Sequence, residues 1–79
     1  MEINRSKIKE ETKRKVCQIG KYIKAKRLES GLSREELAFR CFTDKSQIHK
    51  IEEGLVENIT IHTILKISAA LGVSMENLI

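Results

Sequence analysis

The stretch Leu32-Ser33-Arg34-Glu35-Glu36-Leu37-Ala38, taken up again at Phe42-Thr43-Asp44-Lys45-Ser46-Gln47-Ile48-His49-Lys50-Ile51-Glu52-Glu53-Gly54, decides the fold. Ser33 has helix-capping chemistry, and Glu36, three residues on, can reach back to its N–H in a capping box. Leu32 before the cap and Leu37 in the first turn complete a hydrophobic staple. The same grammar returns at Thr43-Asp44, followed by Gln47 and Ile48. Two short helices are predicted near 34–41 and 45–53, joined by Phe42-Thr43-Asp44.

Further along the chain, Ile59-Thr60 leads to Ile64 and Val73-Ser74 leads to Leu78. Gly31 and Gly72 each stand two residues before a capping serine, where a helix ends in a left-handed residue. These signals predict further helices near 14–30, 61–71 and 75–79. Val16, Ile19 and Ile23 recur at steps of three and four, as do Ile61, Ile64, Leu65, Ser68 and Leu71, which is helical spacing. The chain's many isoleucines would also suit strands, but no Asn-Gly or Asp-Gly dipeptide is present to close a hairpin. The fold class expected is all-α, a compact bundle of five helices. Residues 1–15 either extend the first helix backwards, with Glu10–Arg14 and Glu11–Lys15 as i,i+4 pairs, or form a basic arm ahead of a domain at 16–79.

Seventy-nine residues make one domain, which buries only about 60–65% of its unfolded surface and leaves little room for a catalytic cleft. With 41% hydrophobic residues and no proline, neither disorder nor a Pro/Gly-rich chain fits. The formal charge of +4 is unevenly spread. Residues 1–30 hold most of the lysine and arginine, whereas residues 31–79 are slightly acidic, so the front half suits a polyanion. There is no apolar run long enough for a secretory signal or a membrane span. Cys17 and Cys41 are isolated, and a soluble cytoplasmic protein with free thiols is expected. His49, His62, Cys17 and Cys41 match no zinc-ligand spacing, and the isolated glycines make no phosphate loop. No metal, cofactor or enzymatic activity is anticipated. The basic 5–15 segment lacks the bulky apolar face of a membrane-surface helix.

A three-residue joint serves an ordinary helical hairpin as well as a helix-turn-helix, whose second helix enters a DNA major groove. At about 100° per residue, Ile48 and Ile51 mark the buried side of the third helix. Ser46, His49, Lys50 and Glu53 lie opposite, flanked by Lys45 and Gln47. Such a mixed polar face can be a merely solvated one, or one that supplies the donors and acceptors base edges require. Glu52 falls nearer the buried side and needs a cation from the first helix.

The runs Arg27–Ala38 and Ser46–Gly54 resemble the phage lambda-repressor and Cro type of helix-turn-helix domain, the XRE family. Thr60–Leu71 with Gly72-Val73-Ser74 and Met75-Glu76-Asn77-Leu78 looks like that family's fourth and fifth helices, so the likeness covers about residues 19–79. The resemblance implies a sequence-specific regulator that binds double-stranded DNA as a homodimer on a two-fold operator. It implies base contacts from Lys45, Ser46, Gln47, His49 and Lys50, phosphate contacts from Arg34 and Asn58, and a structural Arg27–Glu52 ion pair. Many members carry glycine in the turn where this chain has Phe42. Phe39 and Phe42 lie off the Leu37/Ala38/Cys41 face and are expected to dock on residues 1–15 or on a partner subunit. That pair motivates an alternative, a protein-interaction module such as an antitoxin neutralising a toxin. The chain length and Asn58-Ile59-Thr60-Ile61 also resemble the short restriction–modification controller proteins.

Overall fold

A computed structural model describes residues 5–74 and 76. Those residues form four helices and no strand: α1 (Arg5–Glu29), α2 (Arg34–Arg40), α3 (Lys45–Glu52) and α4 (Ile61–Leu71). The fifth helix expected at 75–79 lies outside the described residues except for Glu76, whose N–H donates to Ser74 Oγ at 3.2 Å. Of the two options for the front of the chain, the backward extension of the helix is adopted from Arg5 on. Glu10–Arg14 and Glu11–Lys15 are not among the ion pairs of the described residues.

Each short helix begins where a side chain offers an oxygen to the first-turn amides. Ser33 Oγ accepts from Glu36 N at 3.0 Å, and Ser33 N donates to Glu36 Oε1 at 3.2 Å, closing the capping box. Asp44 accepts from Gln47 N at 2.8 Å, and Thr60 from Thr63 N at 3.2 Å. The four helix ends share one device as well. A left-handed residue follows the helix, and the next N–H reaches five residues back: Leu32 to Arg27, Thr43 to Ala38, Leu55 to Lys50 and Val73 to Ser68. Glycine fills the left-handed position at 31, 54 and 72, but Phe42 fills it between α2 and α3 at φ 56°.

The core gathers Ile19 and Ile23 of α1, Leu37 and Ala38 of α2 with Cys41, Ile48 and Ile51 of α3, and Ile64 and Ile67 of α4. Within α4 the inward stripe differs from the expected one. Ile64, Ile67 and Ser68 are buried, while Ile61 and Leu65 face solvent. Ile64 and Ser68 lie inward as their spacing implied, whereas Ile67, outside that series, takes the inward place expected of Leu65. Phe39 and Phe42 are 83% and 91% exposed, so neither docks on α1 as anticipated. Phe42 sits at the tip of the turn, where the left-handed backbone turns its ring away from the bundle.

Gly20 sets the approach of α1 to α3, a role that its place within a helix does not reveal in the sequence. A Cβ at this position would run into the backbone carbonyls of Ile51 and Glu52, the latter at 2.9 Å. Backbone cannot give way as a side-chain tip can, so Gly20→Ala forces the two helices apart. A loss of about 2–3 kcal/mol is expected, more than alanine's helix propensity returns, and urea unfolding checks it. Phe42→Gly has the opposite sign. It relieves about 1–2 kcal/mol of left-handed strain, offset in part by the freer unfolded chain. Unfolding of that variant should show a net gain of up to about 1 kcal/mol; a clear loss would mean the exposed ring packs on something.

Candidate nucleic-acid interface

The back of α3 is fixed by charge as well as by Ile48 and Ile51. Glu52, the helix's last residue, has a fully buried side chain. Arg27 of α1 grips it with both prongs, Nε to Oε2 at 2.7 Å and Nη2 to Oε1 at 3.1 Å. The third corner of the same guanidinium donates from Nη1 to the Leu32 carbonyl at 2.9 Å, tying the α1–α2 connection into the cluster. This planar fork suits arginine and no other cation. The cation from the first helix that Glu52 was expected to need is therefore Arg27.

Arg34 adds a contact that sequence reasoning did not anticipate. Its Nε donates to Glu52 Oε1 at 3.0 Å, with the side chain about one quarter exposed. One carboxylate thus serves two guanidiniums, and the cluster keeps a net positive charge at the foot of α2. The Arg34 side chain makes no other hydrogen bond among the described residues and is part-exposed, so some of its donors are left to solvent. The signal in the sequence was a capping-box helix beginning on arginine, a position equally suited to phosphate.

On the front of α3, Lys45, Ser46, Gln47, His49 and Lys50 are all exposed, as is Glu53. Lys45 Nζ lies 3.3 Å from Glu35 Oε1 and Lys24 Nζ 3.5 Å from Glu53 Oε2. Both pairs are solvent-exposed, worth about 0–1 kcal/mol, and are readily exchanged for another partner. Lys50 takes part in no ion pair among the described residues. Asn58 is also exposed, in the α3–α4 loop that follows the C-terminal end of the helix, where it lines a cleft with Lys9 and Lys13 of α1.

The groups weighed for other chemistry do not converge. Among the described residues no cluster of His, Cys, Asp and Glu could hold a metal ion, and no helix is long and apolar enough to cross a membrane. Both cysteines are free; burial pushes the Cys41 thiol up, an effect that nearby Lys66 opposes.

A short helix packed across a second, with its polar face turned outward and its back locked to the bundle, is the geometry of a helix-turn-helix. The helix-turn-helix family model matches residues 23–78, and the chain belongs to that family. It is similar to a control protein, C.BamHI, of Bacillus amyloliquefaciens, 42% identical over 50 residues, or 63% of this chain. That match spans 60% of the relative's own length. The fold is similar to the crystal structure of the restriction-modification controller protein C.AhdI from Aeromonas hydrophila, with a TM-score of 0.79 and 30% identity. This likeness covers 85% of this chain and 96% of that one.

If the cluster positions α3, removing its anion is costly. Glu52→Gln leaves Arg27 buried beside a neutral amide, and a loss of about 3–5 kcal/mol is expected in thermal or urea unfolding. Arg27→Met combined with Glu52→Leu should recover much of that loss, because no uncompensated charge stays buried.

Proposed function

We propose that the protein is a transcriptional regulator that reads duplex DNA with α3, of the kind that controls a restriction–modification system. The observation that carries this reading is the outward face of α3. Lys45, Ser46, Gln47, His49 and Lys50 stand exposed on a helix whose opposite side is buried and ion-paired. Their lengths and polarities suit the major-groove edges: lysine for guanine, glutamine for adenine, serine for either. Arg34, held against Glu52 in the last turn of α3, and Asn58, in the loop that follows that helix, are assigned to phosphates, which set register and carry no sequence information. The likeness to two controller proteins supports the biological setting.

The regulator acts as a homodimer on a two-fold operator, with half-sites about one helical turn apart. Ile61 and Leu65 support this reading, because they lie four residues apart on one exposed side of α4. A lone domain of this size gains from covering them, and one half-site offers few contacts.

Selection of bound sequences from random duplexes tests the reading. It should return a palindrome; recovery of no preferred sequence would overturn it. On the selected site, Lys50→Ala should weaken binding by about 1–3 kcal/mol and relax the preference at one base position in each half-site.

A further inference from the structure

The front of α1 lies ahead of the residues that the helix-turn-helix family model matches, 23–78. At about 100° per residue, the side of α1 that carries Val16, Gly20, Ile23 and Arg27 inward continues towards the N-terminus as Arg5, Lys9 and Lys13. Glu10 and Glu11 fall outside this stripe. All three cations are exposed, and none takes part in an ion pair among the described residues. Like charges four residues apart weaken a helix slightly, so the stripe is a cost unless an anion meets it. Lys9 and Lys13 look across an open cleft of about 460 Å³ to the α3–α4 loop, where Leu55, Val56 and Asn58 form the far wall. Glu57 also lines the cleft and pairs with neither lysine. The cleft opens at the C-terminal end of α3, since Cys17 of α1 touches Gly54 just beyond that helix.

We infer that Arg5, Lys9 and Lys13, with Asn58 across the cleft, form a second contact surface for the DNA phosphate backbone that lengthens the footprint past the end of α3. The inference rests on the functional reading above. Cations about 6 Å apart along the helix axis span about 12 Å, the axial length of three to four phosphates on one strand. Such contacts add affinity and salt dependence and carry no sequence information. A helix also holds them at fixed spacing, which a flexible arm would not.

The test compares the full chain with a triple variant, Arg5→Gln, Lys9→Gln and Lys13→Gln, on a random-sequence duplex of about 40 base pairs over a series of salt concentrations. Glutamine keeps the helix propensity, and circular dichroism checks that the helix survives. A second triple variant, Arg14→Gln, Lys15→Gln and Lys21→Gln, removes the same charge from other sides of α1. For the stripe variant, the slope of log affinity against log salt should fall by about two to three, at about 0.9 for each phosphate no longer neutralised. The second variant should change it by less than about one, and the charge-keeping Lys9→Arg, Lys13→Arg variant should match the parent chain. Equal slopes for the two triple variants would overturn the inference while leaving the reading of α3 intact. So would a stripe-dependent loss seen on phosphatidylserine vesicles and not on DNA. A parent chain that binds no duplex at any salt concentration would overturn both.

Discussion

The Glu52 carboxylate, buried at the end of α3 and held by Arg27 and Arg34, keeps the remaining geometry in place. It joins three helices through one charged group. Arg27 brings α1 and, through the Leu32 carbonyl, the entry to α2; Arg34 brings the first turn of α2. A buried ion pair is weak as a source of net stability, because desolvation consumes most of the attraction. Its value here is positional. Hydrophobic contacts from Ile48 and Ile51 tolerate small rotations of α3, whereas a two-pronged hydrogen-bonded fork tolerates little. With the back of α3 fixed in rotation, the front is fixed too. Base reading needs that, since a side chain must meet a base edge within hydrogen-bonding distance.

Gly20 completes the arrangement from the other side. Its missing Cβ lets α1 pass directly over the last carbonyls of α3, which puts Arg27, two turns further along α1, beside Glu52. The close crossing and the ion pair belong together, and the sequence changes that disturb either act on the orientation of α3.

Most of the fold was legible because the chain marks its helix ends chemically. Ser33 with Glu36, Asp44 and Thr60 each cap as expected, and Gly31 and Gly72 take the left-handed positions assigned to them. The need of Glu52 for a cation could be read from helix angle alone, because Ile48 and Ile51 fix the inward direction. Other features were illegible for definable reasons. A glycine within a helix gives no sign of what passes over it, so Gly20 went unread. Arg34 can reach a phosphate or a buried carboxylate from the same backbone position, and only the packing of α2 on α3 brings it to Glu52. Leu65 and Ile61 fit a helical period but sit on its outer side, because Ile67 supplies the inward contact instead. Phe39 and Phe42 looked like residues in need of a cover, yet within the single chain neither the ring on α2 nor the one in the turn is covered.

The uneven charge of the chain also divides by role. On α3, the exposed Lys45 is offset by Glu35 and Glu53 by Lys24, so the proposed reading face keeps little net charge beyond Lys50. The bulk of the positive charge stands on α1, away from the residues proposed to read bases, where it can supply attraction without selecting sequence. A locked α3 that presents residues 45–50 to the bases is the proposal on which these roles turn. Amide chemical-shift mapping, with the selected duplex titrated into isotope-labelled protein, puts it to the test. The largest shifts should fall on Lys45, Ser46, Gln47, His49 and Lys50, while the buried residues of the core stay in place. Shifts centred on α4 or on Phe39 and Phe42, with α3 unmoved, would contradict it.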